Sequence, residues 1–99
     1  MAKFDVHPLR NGGAYVVDCQ TNWLSGIATR FVVPLMPVGQ APDVMARLNP
    51  VFQLEGENYV FFPQLAGSIA VTALKPAVTS LEEHDLTIGN ALDMLISGF

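Results

Sequence analysis

Positive charge is scarce in this chain. Only 14 % of its 99 residues are charged, with five Lys and Arg against nine Asp and Glu and a net charge of −4. Lys3, Arg10, Arg30, Arg47 and Lys75 are never neighbours in sequence. A surface that tracks phosphates clusters its cations to release counterions, so direct nucleic-acid binding is not expected. Cys19 is the only cysteine. One thiol forms neither an intrachain disulfide nor a cysteine zinc site, and its apolar strand setting reads as a buried thiol. The longest apolar run, residues 31–38, is interrupted by Pro34 and Pro37 and falls well short of the roughly 20 residues a membrane helix needs. The opening residues carry Lys3, Asp5 and His7 instead of the apolar core of a secretion signal. A cytoplasmic location is therefore expected.

Catalytic constellations are missing too. His7 and His84 have no metal-ligand spacing with a cysteine or a carboxylate, and His84-Asp85 reads as a solvated pair near a helix start. Glu82, Glu83 and Asp85 suit the positive end of a helix dipole. Asp18 at a strand end suits a turn or cap role. With no phosphate-cradling glycine loop and no nucleophile elbow, no catalytic residue, metal ligand or cofactor is assigned. The chain reads as a binding protein.

Apolar residues are abundant, at 51 % of the chain. A domain of this size buries only about 60–70 % of its unfolded surface. The excess calls for cover, and a homodimer interface supplies it. Residues 1–99 form one domain, with no internal repeat.

Alternation of apolar and polar residues predicts a strand over 4–7, a turn at Arg10-Asn11-Gly12-Gly13, and a second strand over 14–19. Residues 21–26 make a loop carrying Trp23 and Leu24. Residues 29–35 form a β-branched strand whose Pro34 suggests an edge position or a bulge. Residues 36–50 make a long surface excursion with one helical turn near 43–47. Strands at 51–54 and 59–62 flank the hairpin turn Glu55-Gly56-Glu57-Asn58, and a further strand covers 69–72. The final element is a helix opened by a capping box, Ser80-Leu81-Glu82-Glu83. Its apolar stripe is Leu81, Ile88, Ala91, Leu92 and Leu95, with Leu86 and Ile96 off to the side as interface candidates. Gly89 within it suggests close approach of another backbone. The chain then ends on Leu95-Ile96-Ser97-Gly98-Phe99, an apolar terminus of the kind that packs inward, sits in an interface or meets a partner.

Tyr15-Val16-Val17-Asp18-Cys19-Gln20-Thr21-Asn22, followed by Thr29-Arg30-Phe31-Val32-Val33-Pro34-Leu35, resembles the signature of CcdB toxins, the gyrase poisons of toxin–antitoxin modules. Leu48-Asn49-Pro50-Val51-Phe52, the turn at 55–58 and the terminal helix extend the resemblance over the whole chain. The resemblance implies a mainly β fold with a C-terminal α-helix: an SH3-like antiparallel barrel of the CcdB–MazF type with a small accessory sheet. It also implies a homodimer that binds the A subunit of DNA gyrase and traps the cleaved DNA complex. Its partner is a CcdA-like antitoxin, with operator DNA reached only through the antitoxin complex.

The same resemblance places gyrase contacts at Thr21, Trp23 and Leu24 in the loop and at Asp93, Ser97, Gly98 and Phe99 at the helix end. Gly98 would allow close backbone approach there. This chain departs from the family pattern, which has Trp before the final glycine, Asn four residues earlier and Ile at the end. Here Ser97, Asp93 and Phe99 stand at those places, and Trp23 replaces an aliphatic residue. Trp23 and Phe99 are expected to restore the missing aromatic contact. Two alternatives follow from the same family setting. One is a homologue that keeps antitoxin binding and has lost gyrase poisoning. The other is an endoribonuclease of the MazF and Kid kind, for which Arg30, with His7 or Asp18, would be the catalytic candidate.

Overall fold

The computed structural model describes residues 2–12, 14–41 and 43–98. Seven antiparallel strands and one helix appear among them: β1 (Asp5–Pro8), β2 (Tyr15–Asp18), β3 (Thr29–Pro37), β4 (Val51–Leu54), β5 (Glu57–Phe61), β6 (Gly67–Ala70), β7 (Thr79–Ser80) and α1 (Asp85–Ser97). The strands form one curled half-barrel sheet in the order β4-β5-β3-β2-β1-β7, with β6 also paired to β3. The accessory part is the β4–β5 hairpin, which shares β3 with the barrel.

Pro34 does not mark an edge. β3 is the central strand, paired along one side with β2 and along the other first with β6 and then with β5. Pro34 falls where that second side changes partner: residues 29–32 pair β6 and residues 35–37 pair β5. Its carbonyl accepts from the Phe62 N–H at 3.0 Å on that side. A strand residue points N–H and C=O the same way, so the missing donor of Pro34 faces the seam and leaves the β2 ladder whole.

β3 also runs two residues beyond the predicted end, to Pro37. The following loop carries a short 3₁₀ turn (Val38–Gln40) and a turn closed by the Asn49 N–H on the Met45 carbonyl at 2.7 Å, near the predicted helical turn. Buried Asn49 ties this loop down. Its Nδ2 donates to the Phe61 carbonyl and to Gln64 Oε1, while its Oδ1 accepts from the Met45 N–H. The turn between β4 and β5 has positive φ at both central residues, Glu55 at 51° and Gly56 at 84°, the twist that suits a two-residue hairpin. The predicted strand over 69–72 is β6, which stops at Ala70 and passes into a 3₁₀ turn (Val71–Ala73).

The concave side of the sheet and one face of α1 enclose the core. Val6, Val17, Val33, Leu35, Phe52, Phe61, Leu81, Ile88 and Ala91 are buried together. Phe61 stands edge-on to Phe52, and Tyr15 edge-on to Tyr59, arrangements that favour aromatic pairs. Leu92 packs against this core, whereas Leu95 lies 42 % exposed at the far end of the stripe.

The helix start departs from a capping box. Ser80 belongs to β7, and its hydroxyl accepts from the Glu82 N–H at 3.1 Å, one residue short of Glu83. A 3₁₀ turn (Glu82–His84) intervenes, and α1 begins after His84 without a side-chain cap. Burial of Leu81 explains the shift. The Leu81 N–H donates to the Phe4 carbonyl, which pulls this residue into the core and off helical register.

Candidate partner-binding surface

Residues 19–28 link β2 to β3, and their anchorage begins with a buried ion pair. Arg30 Nε donates to Asp18 Oδ2 at 2.8 Å, and Nη2 lies 2.6 Å from the same oxygen. Nη2 is off hydrogen-bond line there, and neither Nη1 nor Nη2 has a hydrogen-bond partner among the described residues. Asp18 Oδ1 accepts from the Gln20 N–H at 3.0 Å. The side chain of Gln20 closes the neck: its Oε1 accepts from the Phe31 N–H at 2.9 Å, and its Nε2 donates to the Leu24 carbonyl at 3.1 Å. The Cys19 N–H adds a bond to the Phe31 carbonyl.

The tip is a 3₁₀ turn (Asn22–Leu24) capped by Thr21, whose Oγ1 accepts from the Trp23 N–H at 3.3 Å. Asn22 Oδ1 accepts from the Lys3 N–H at 2.8 Å. Phe4, at a φ of 73°, turns the N-terminal segment so that its own N–H reaches the Asp18 carbonyl. Positive φ is rare for an aromatic residue, and here it brings Lys3 to the loop. The result is a tethered platform. On it the Trp23 side chain is 94 % exposed, with Leu24, Ile27 and Phe31 also exposed nearby in sequence.

The helix end is displayed differently. Asp93 and Ser97 are exposed, as are Leu86 (73 %) and Ile96 (77 %), the two residues expected off the core stripe. Gly98 ends α1 in the left-handed region at φ 79°, its N–H donating to the Met94 carbonyl at 3.0 Å. An added Cβ at Gly98 would meet nothing within 4 Å. Within the protomer, glycine serves the backbone turn there and not a close approach. Gly89 is likewise open: among the described residues nothing beyond its own turn of helix would meet an added Cβ within 4 Å. Phe99 lies outside the described residues. α1 packs through Ile88 and Ala91 on the core and also meets the 3₁₀ turn at Pro63–Leu65, and the loop is tied to the N-terminal segment and β3. The two parts of the expected contact surface are thus held by separate parts of the fold.

Burial pushes the Cys19 thiol up to about 12, with the Asp18 carboxylate adding to the shift. Arg30 and Asp18, 1 % and 0 % exposed, neutralise each other in the interior, where neither can meet an RNA backbone. Sequence reasoning grouped Arg30 with Asp18 only as an alternative catalytic candidate, and missed that the two form a buried ion pair at the neck of the loop. Its signal was the pair of charges flanking the loop at adjacent strand ends. Among the described residues, no helix is long and apolar enough to cross a membrane.

No curated protein matches this chain. The family model described as CcdB protein matches residues 3–98, nearly its full length. With the half-barrel sheet and terminal helix in place, the chain belongs to the CcdB family, the toxins of toxin–antitoxin modules.

Proposed function

We propose that this toxin is a homodimeric gyrase poison. It binds the A subunit of DNA gyrase through Thr21, Trp23 and Leu24 and through Asp93, Ser97, Gly98 and Phe99, and holds the enzyme on cleaved DNA. A CcdA-like antitoxin removes it from gyrase, and the toxin–antitoxin complex represses its own operon in the cytoplasm. The toxin acts by binding, and no bond is made or broken by its own residues.

The observation that carries this reading is Trp23. An indole left 94 % exposed contributes nothing to folding, and Trp is enriched among residues that dominate interfaces. Its mount is already ordered by the Thr21 cap and the Gln20 and Asn22 bonds, which lowers the entropy lost on binding. Leu86 and Ile96 support the homodimer as apolar side chains left exposed on α1. The net charge of −4 favours DNA contact through the antitoxin and not through the toxin itself.

The test is a cleavage-complex assay: purified protein, gyrase, supercoiled DNA and ATP, followed by detergent and protease. Linear DNA that disappears when Ser97–Phe99 are deleted is the expected result. No linear DNA from folded, dimeric protein would overturn gyrase poisoning in favour of a homologue that retains antitoxin binding alone.

A further inference from the structure

The asparagines of this chain, Asn11, Asn22, Asn49, Asn58 and Asn90, differ in what holds the peptide that follows each of them. Asparagine is a labile residue, because the next backbone nitrogen can attack its side-chain amide. The attack needs a following N–H that is unbonded, uncrowded and open to water. Four of the five fail that requirement. Asn49 is followed by Pro50, which has no N–H. Asn90 lies inside α1, where the Ala91 N–H belongs to the helix ladder. Asn58 lies in β5, paired with β4 on one side and β3 on the other, and the Tyr59 N–H is held in that sheet. Asn22 spends Oδ1 on the Lys3 N–H at 2.8 Å, and the Trp23 N–H after it donates to Thr21 Oγ1 at 3.3 Å.

Asn11 meets it. This residue stands in the turn between β1 and β2, which is closed by the Leu9 N–H on the Ala14 carbonyl at 3.0 Å. Asn11 and Gly12 are both exposed. The Gly12 carbonyl accepts from the Ala14 N–H at 2.8 Å, but the Gly12 N–H has no acceptor among the described residues. Glycine sets no Cβ beside the attacking nitrogen, and the space around its Cα is open to 4 Å.

We propose that Asn11–Gly12 is a self-modification site, where the folded protein converts Asn11 to aspartate and isoaspartate without an enzyme. The Gly12 nitrogen bonds to Asn11 Cγ, the Cγ–Nδ2 bond breaks, and ammonia leaves with the proton that the Gly12 nitrogen gives up. A five-membered imide results. Water then opens the ring at one of its two carbonyls. Breaking the bond from Cγ to the Gly12 nitrogen restores the main chain with aspartate. Breaking the original peptide bond instead routes the main chain through Cγ as isoaspartate. The balance is one water consumed and one ammonia released, with no change of oxidation state. Either product adds a carboxylate to a chain already at −4, beside Arg10, whose Nε is held on the Thr72 carbonyl at 2.8 Å. The reaction is on the chain itself and is no part of its action on a partner.

The experiment incubates the full-length protein beside the blocked hexapeptide acetyl-Leu-Arg-Asn-Gly-Gly-Ala-amide in mildly alkaline buffer, sampled over weeks. Intact mass follows the exchange of NH for O, and peptide mapping locates it. An isoaspartyl carboxyl methyltransferase with labelled S-adenosylmethionine scores the isoaspartate. Conversion is expected at Asn11 ahead of every other asparagine, faster as pH rises, and lost in Asn11→Gln, whose ring would need six members. Urea unfolding checks that this variant is folded. The rate in the folded protein should fall within about tenfold of the hexapeptide, as for a segment with no local structure to open first. A rate more than about tenfold below the hexapeptide would show that the turn protects Asn11 and would overturn the proposal. Earlier conversion at another asparagine, or undiminished conversion in folded Asn11→Gln, would overturn it equally.

Discussion

Arg30 and Asp18 meet in the interior at the neck of the β2–β3 loop, Nε to Oδ2 at 2.8 Å, both essentially without solvent exposure. The pair gathers the two strand ends, and the second Asp18 oxygen holds Gln20, which in turn holds Phe31 and Leu24. A residue that sequence alone offers as a cationic catalyst is therefore a positioning residue for the loop that carries Trp23.

A buried ion pair is weak support for stability as a whole, but removing one partner strands the other charge. Asp18→Asn should cost about 3–5 kcal/mol in urea unfolding. The double variant Asp18→Leu with Arg30→Met should recover much of that loss. A loss below about 1 kcal/mol for Asp18→Asn, the range of a solvent-exposed pair, would contradict the burial.

The β skeleton was legible in the sequence because apolar alternation and local turn residues specify it, although β5 begins at Glu57, inside the predicted turn, and ends at Phe61, so that only Glu55 and Gly56 link the hairpin. β6 and the helix stripe through Ile88 and Ala91 followed from the same periodicities. Pro34 was misplaced because its cost depends on which neighbouring strand faces its nitrogen, a tertiary fact. The Ser80 cap was misplaced because Leu81 is drawn into the core, and burial outweighs a cap worth about 1 kcal/mol. Of the residues the resemblance singled out in the loop, Trp23 and Leu24 are exposed, while the hydrogen bonds that tether the loop depend on Lys3 and Phe31, distant in sequence or across the sheet.

Cys19 ties pH to stability. The folded thiol is raised from 9.0 to about 12, chiefly by burial, so the folded state holds its proton more tightly than the unfolded chain. The sign is fixed: this contribution is complete below pH 9 and is lost as pH rises from there towards 12. Urea midpoints measured from pH 8 to 11 should fall, and Cys19→Ala should flatten that fall. At pH 8 the native thiol should resist iodoacetamide and react only on unfolding.

The β4–β5 turn predicts two opposite effects. Gly56 at φ 84° tolerates no Cβ cheaply, so Gly56→Ala should destabilise by about 1–2 kcal/mol. Glu55 at φ 51° pays that strain already, so Glu55→Asn should stabilise by about 0.5–1 kcal/mol. Thermal unfolding separates the two, since about 1 kcal/mol moves the midpoint by roughly 4–8 °C in a domain of this size.

Gly98 should behave as a backbone turn. Gly98→Ala should cost about 1 kcal/mol through its positive φ, and faster exchange of the amides in the last turn of α1 should reveal the fraying. Unchanged exchange would show that the turn there does not need glycine.

The central claim is that Trp23 is displayed for a target and not for the fold. The most direct test compares Trp23→Ala with the parent protein in the gyrase cleavage-complex assay, alongside urea unfolding. The account predicts stability within about 0.5 kcal/mol of the parent, as for other exposed sites, together with loss of linear DNA. Undiminished linear DNA from the variant would contradict it.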